Sequence, residues 1–190
     1  MATITAADVN KLRQTTGSGM MDCKKALVEA EGDFEKAIDI LRKKGQKVAN
    51  KRADRAATEG YVVAKTTADG KTVVMIMLNC ETDFVARNQE FIDDANLIVN
   101  KAAETTPATL EELQALNIGK GTVAELCLEL TGKIGEKIEV SQYICIKSEK
   151  AFAYNHPGNR IGSVIGFSKT CSDDLAKDIA MQIAAMNPVS

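Results

Sequence analysis

The hydrophobic spacing of this chain changes at residue 59, and that change limits what can fold on either side. Before it, apolar residues recur every three or four positions, the period of helices packed on one face. Thr5 with Asp8 three residues on has the form of a capping box ahead of Val9 and Leu12. Thr15-Thr16-Gly17-Ser18-Gly19 is turn chemistry, and Met20, Cys23, Leu27 and Ala30 then set a second helix. Gly32 breaks it, Asp33 can cap a third, and Phe34, Ala37, Ile38 and Leu41 form that helix's stripe, with Gly45 as its expected stop. Helices this short are marginal alone, so residues 1–45 are expected to pack as one three-helix module.

Beyond residue 59 the period is that of strands. Tyr61–Thr67 and Thr72–Leu78 flank Asp69-Gly70, a hairpin signal. The second of these strands is apolar from Val73 to Leu78, which predicts cover on both faces. A helix follows, with Phe91, Ile92, Ala95, Ile98, Val99 and Ala102 on one side and Pro107 at its end. Leu110–Leu116 and Val123–Ile134 read as helices, the second with Leu126, Leu130 and Ile134 in a stripe. Glu136–Lys147 alternates as a strand. Ala151–Asn155 and Ile161–Ser168 flank the turn His156-Pro157-Gly158-Asn159. Asp173–Met186 closes the series as a helix with Leu175, Ile179, Ile183 and Met186 on one face. Strand, turn, apolar strand and helix thus occur twice, at about 59–104 and 151–187, a weak internal repeat. The expectation is an α+β fold: a helical module, then a core of repeated β-hairpin-plus-helix units, divided as 59–135 and 136–190.

Charge is distributed unevenly. The chain carries 24 basic and 26 acidic side chains, a net of −2, which excludes a globally basic nucleic-acid coat protein. Yet residues 42–55 hold seven cations (Arg42, Lys43, Lys44, Lys47, Lys51, Arg52 and Arg55) against Asp54 alone. This predicts a basic helical linker over residues 46–58. Its functional reading is an RNA- or ribosome-binding adaptor; its plain reading is a solvated charged segment. No aromatic residue is interleaved with it, which weighs against direct RNA contact.

The remaining composition argues against chemistry. One histidine excludes any site needing two imidazoles, and His156 lies in a turn with no partner identifiable in the sequence. The five cysteines are scattered without a CxxC pair, so neither a zinc site nor any other metal site is expected. Reduced core thiols fit a cytoplasmic protein. No signal peptide is visible, and no stretch approaches the roughly 20 apolar residues of a membrane span. Gly17 and Gly19 are not followed by a phosphate-binding lysine, so no cofactor is expected.

The most unusual segment is Asn79-Cys80-Glu81-Thr82-Asp83-Phe84-Val85-Ala86-Arg87. Two readings stand side by side. Thr82 or Asp83 caps the following helix and Phe84 staples it to the strand. Alternatively, a loop presents an acidic residue and an apolar knob to a partner, as binding hot spots do.

Several segments together resemble bacterial translation elongation factor Ts. They are Leu12-Arg13 with Thr16-Gly17-Ser18-Gly19-Met20-Met21-Asp22-Cys23-Lys24-Lys25-Ala26-Leu27, then Asn79 to Asn88, and later Tyr154-Asn155-His156, Gly158, Arg160-Ile161-Gly162 and Ile179 to Ala185. The resemblance implies a nucleotide-exchange factor for the GTPase elongation factor Tu, GDP-bound or nucleotide-free, and no enzyme. It implies that the first helices form a ubiquitin-associated-like module docking through Arg13, Met20 and Met21. It implies that Thr82, Asp83, Phe84 and Val85 are the working tip, with Asp83 and Phe84 pushing in beside the GTPase's magnesium. Gln182 stands where many relatives carry a histidine that touches the GTPase. Typical members continue beyond Ser190, so the resemblance implies that residues 136–190 are the first part of a second core subdomain, in a chain that is either a fragment or a family member with a short C-terminus.

Overall fold

The structure is a computed structural model and describes residues 4–119 and 121–188. Ser190, where the family match was expected to break off, lies outside the described residues. Two compact units emerge: residues 1–56 with 126–138, and residues 57–125 with 139–190.

In the first unit, α1 (Ala6–Thr16) begins with the expected capping box: Thr5 Oγ1 accepts from Asp8 N–H while the Asp8 carboxylate accepts from Thr5. The Thr5 bonds hold the Asp8 carboxyl below the usual carboxylate range. Gly17 ends α1 at φ 65°, a left-handed position that glycine adopts without strain. α2 (Met20–Glu29) and α3 (Phe34–Arg52) follow, α3 capped by Asp33 through Lys36 N–H. Leu12, Cys23, Leu27 and Ala37 are fully buried and form the centre of the module.

Gly45 is not a stop. α3 runs seven residues past it, to Arg52, so the basic run is helical as far as Arg52. The glycine is buried, and its Cα lies so close to Gly132 that a Cβ built on Gly132 would sit 2.6 Å from it. The close approach demands the glycine at 132, whereas a Cβ on Gly45 would meet only ordinary contacts, 3.5 Å from Gly132 Cα. Gly45 is a buried mid-helix glycine that carries the usual helix-propensity cost of about 1 kcal/mol. Gly132 lies in a helix of Val123–Ile134, whose residues from Leu126 on group with the first helices and not with the sheets.

The second unit holds the repeat. β1 (Glu59–Thr66) and β2 (Thr72–Cys80) form the expected hairpin, and β3 (Glu139–Lys147) pairs on the other side of β2. All pairing is antiparallel. β2 is central, and Val73, Val74, Ile76 and Leu78 are buried, as its apolar run predicts. After a four-residue helix α4 (Asp83–Ala86), α5 (Gln89–Thr105) packs Phe91, Ala95, Ile98, Val99 and Ala102 against β1 and β2. α6 (Leu110–Gln114) leads to the helix already met, which takes the label α7. β4 (Lys150–Asn155) and β5 (Gly162–Phe167) make a separate two-stranded sheet, on which α8 (Asp173–Met186) packs. Two ββα units are therefore present, on two sheets.

The end of β4 and the turn that follows it protect the free edge of the first sheet. Asn155 Oδ1 accepts from Ala64 N–H at 2.7 Å while its Nδ2 donates to Ala64 O at 2.9 Å. Two residues along β1, Asn159 accepts from Val62 N–H through its backbone carbonyl and donates to Val62 O through Nδ2. Two asparagines thus act as strand mimics on an edge that would otherwise offer unpaired backbone groups.

α8 departs from its expected stripe. Leu175 and Met186 are 50 % and 74 % exposed. The helix buries Ala176 and Ala180 instead, drawn in by Ser163 Oγ, which donates to Ala180 O at 2.6 Å. Small residues allow this close approach; Ile179 and Ile183 of the expected stripe are half-buried at its margin, and Leu175 and Met186 remain outside.

Candidate partner-binding site

The segment after β2 is built on a rigid base. Asn79 is 3 % exposed, and all its polar atoms are used. Its Nδ2 donates to Ala57 O at 3.1 Å and Glu59 O at 3.2 Å; its Oδ1 accepts from Ser141 Oγ at 2.6 Å. Ser141 is the extra residue of an irregularity where Met77 pairs Gln142 but Leu78 pairs Val140. Such a bulge re-aims a strand end. Opposite Asn79, Gly60 approaches so closely that a Cβ there would meet Leu78 O at 2.3 Å. Buried Cys80 then donates through Sγ to Thr82 O at 3.1 Å. These contacts fix where the chain leaves the sheet.

What leaves is a single helical turn. Thr82 is extended at φ −126° and starts α4; Ala86 N–H donates to Thr82 O and Arg87 N–H to Asp83 O. Ala86 is buried and Val85 half-buried, which seats the turn on β1, β2 and α5. Asp83 pairs with Arg87 at 3.0 Å across one turn. Phe84 is 84 % exposed. It does not staple the helix to the strand; that reading is excluded. Nor does Thr82 or Asp83 cap the long helix. Asn88 does, accepting from Glu90 N–H at 2.9 Å. Phe91, seven residues after Phe84, lies in the core at 1 % exposure.

In the first unit, Arg13 is exposed on the last turn of α1, and its carbonyl accepts from Gly17 N–H at 2.7 Å. The 17–19 turn is held further by Cys23 Sγ, which donates to Ser18 O at 3.5 Å. Met20 and Met21 open α2 at 56 % and 63 % exposure. Arg13 and the two methionines therefore flank one well-tied turn. Val28, 57 % exposed and two turns beyond Met21, adds an apolar residue that the sequence reading left out; its i+7 spacing from Met21 was the available signal.

Gln182 is exposed on α8, between Leu175 and Met186 on the same helix face. α4 packs on β1, β2 and α5, whereas α8 packs on β4 and β5. Thr82–Val85 and Gln182 thus belong to different repeats, and Arg13, Met20 and Met21 to the other compact unit. His156 is exposed, with Nδ1 3.0 Å from Tyr154 Oη. Among the described residues, no three His, Cys, Asp or Glu side chains are grouped to hold a metal. No helix there is long and apolar enough to cross a membrane.

The family profile described as elongation factor TS matches residues 81–190. The elongation factor Ts of Bacteroides thetaiotaomicron is 48 % identical over 188 residues, covering 98 % of this chain and 56 % of that protein. That of Christiangramia forsetii is 50 % identical over 192 residues, covering 100 % and 69 %. That of Amoebophilus asiaticus is 48 % identical over 190 residues, covering 98 % and 69 %. The chain thus spans between about half and two thirds of the length of these relatives. A profile match running from the strand end through α8, with near-50 % identity along almost the whole sequence, leaves one assignment: the chain belongs to the elongation factor Ts family.

Proposed function

We propose that this chain is a guanine-nucleotide exchange factor that binds elongation factor Tu and promotes release of its GDP. The observation that carries the proposal is Phe84, an aromatic held 84 % exposed on a turn whose flanking residues Asp83 and Val85 are half-buried and which is seated by buried Ala86. Leaving it in water forgoes about 1.5–3 kcal/mol of apolar burial, which a partner's pocket can recover. Exposed aromatics on a fixed support are what interface hot spots are made of.

The chemistry asked of the site is mechanical. GDP is held by magnesium and by backbone N–H groups around its phosphates. Asp83 and Phe84 enter beside the magnesium, with Thr82 and Val85 as their shoulders, and displace the elements that hold metal and phosphate. Arg13, Met20 and Met21 dock the helical module on the GTPase, and Gln182 adds a hydrogen-bonding contact. Release is accelerated only if the factor binds the loosened or nucleotide-free state more tightly than the GDP state. Coupling is reciprocal, so GDP with magnesium weakens the factor's own binding to the same degree. No covalent bond is made or broken by this chain, so it is not an enzyme, and it works in the cytoplasm where its partner is.

The test is release of a fluorescent GDP from elongation factor Tu, with and without this chain. Catalytic amounts should accelerate release, and Phe84→Ala should reduce the acceleration roughly 10- to 100-fold, the equivalent of losing one buried aromatic at about 1.4 kcal/mol per tenfold. No acceleration by folded protein would refute the exchange role. Full acceleration by Phe84→Ala would refute the wedge.

A further inference from the structure

We propose that the solvent face of α3 is a docking surface for the phosphate backbone of double-helical RNA. This surface is independent of the exchange reading. It begins where the carboxylates stop: between Asp39 and Asp54 the sequence has no acidic residue. Because α3 continues unbroken to Arg52, Lys43, Lys47 and Lys51 recur every fourth residue. They stand about 6 Å apart along the axis and turn only about 40° per step. All three are exposed, and none has an ion-pair partner among the described residues. Arg42, beside Lys43, is exposed and equally free of a partner there. Lys44 is different: its ammonium is paired with Asp22. The opposite side of α3 carries buried Gly45 with half-buried Leu41 and Val48, so the row of charge stands on a packed helix and not on a loose connector.

The composition of this face selects the partner. Lysine is depleted at the centre of protein–protein interfaces, where aromatics, methionine and arginine are enriched. Along the lysine row the exposed positions between the cations are Gln46 and Asn50, with Gln46 Nε2 donating to Asn50 Oδ1 at 3.0 Å. Amide side chains and lysines are donors suited to phosphate oxygens, and such contacts position a protein without reading bases. No aromatic side chain accompanies the row, so single strands, which are held by stacking, are not what it fits. Duplex RNA, recognised through shape, 2′-hydroxyls and phosphates, is.

The experiment is fluorescence anisotropy of the whole chain with an end-labelled RNA duplex of mixed sequence, at 50–200 mM KCl. Four phosphates neutralised by Arg42, Lys43, Lys47 and Lys51 predict a slope of log K against log salt near about −3.6, or roughly 150-fold weaker binding across that range. Replacing three of the cations (Lys43→Gln, Lys47→Gln, Lys51→Gln) should flatten the slope to about −0.9. The same three changed to Arg should keep binding and slope, which separates loss of charge from loss of fold. A control with equal charge change on the second unit (Lys147→Gln, Lys169→Gln, Lys177→Gln) should behave as the parent. The proposal is overturned if the parent does not bind the duplex at 50 mM KCl, if the α3 triple variant keeps the parent slope, or if the control loses as much. It is overturned too if polyglutamate displaces the duplex at equal charge concentration, which points to an acidic protein, or if a single strand of the same length binds more tightly.

Discussion

The contact between Gly45 and Gly132 allows a prediction in which two chemically identical substitutions part company. A Cβ on Gly132 would lie 2.6 Å from Gly45 Cα, a distance real Cβ atoms do not adopt, and the obstructing atom is backbone that no rotamer change can clear. A Cβ on Gly45 would lie 3.5 Å from Gly132 Cα and 3.7 Å from Leu128 O, which is ordinary contact. Both glycines sit inside helices, so both substitutions gain about 0.8–1.0 kcal/mol of helix propensity. Gly45→Ala should therefore be neutral or stabilising by up to about 1 kcal/mol. For Gly132→Ala the overpacking term of about 1–3 kcal/mol, near its upper end because two backbones must separate, outweighs that gain. A net loss of about 1–2 kcal/mol is expected. In urea denaturation followed by far-ultraviolet circular dichroism, with a slope of about 2 kcal/mol per molar, this lowers the midpoint by roughly 0.5–1 M. Residues in direct contact are also not additive, so the double variant should fall below the sum of the singles. Equal midpoints for the two single variants, or Gly132→Ala at or above the parent, would refute the close-packing account of Gly132.

Three further outcomes follow from the site. Asn79→Ala removes the buried amide that ties the half-buried Ala57 and Glu59 carbonyls to the Ser141 hydroxyl and should cost about 1–3 kcal/mol in chemical denaturation; a loss under about 0.5 kcal/mol would mean that water replaces it. Phe84→Ala, at an 84 % exposed position, should leave the denaturation midpoint within about 0.5 kcal/mol of the parent, and a larger drop would show that the ring is part of the fold. The Asp8 carboxyl is held low by the Thr5 bonds, so its contribution is complete above the usual carboxylate pKa of about 3.9 and is lost as pH falls through the lowered value. Asp8→Asn should therefore flatten the acid limb of melting temperature against pH below about pH 4, and an unchanged limb would remove the capping box from the account.

How much of this was legible in the sequence depended on whether a residue's role is local. The capping box at Thr5 and Asp8, the Asp69-Gly70 hairpin, the covered strand Val73–Leu78 and the two ββα units all follow from spacing within a few residues, and all are present. Gly45 was misread because its partner, Gly132, is 87 positions away; as a local signal, glycine after an apolar stripe does look like a stop. α8 was misread for a related reason. Its stripe of large residues was real, but the neighbouring sheet draws the helix in through Ala176, Ala180 and the Ser163 hydroxyl, and a close approach selects small residues over greasy ones.

Phe84 is the instructive case. In one continuous helix, Phe84 and Phe91, seven residues apart, would share a face, and the periodicity of α5 would draw both into the core. They part because the chain is not one helix there. Arg87 ends α4, with its N–H donating to Asp83 O, and Asn88, extended at φ −69° and ψ 131°, starts α5 afresh with its own cap. The two-helix reading was available, since asparagine before Gln89 and Glu90 is a helix-start signal; what spacing could not supply was the angle at which the first turn leaves the strand. That angle comes from Asn79, Ser141 and Gly60, on three strands joined only by tertiary contact. The exposure of Phe84 is thus decided by residues that do not touch it. Substitutions at Asn79 or Gly60 should alter what the ring presents to a partner even where the ring itself is unchanged.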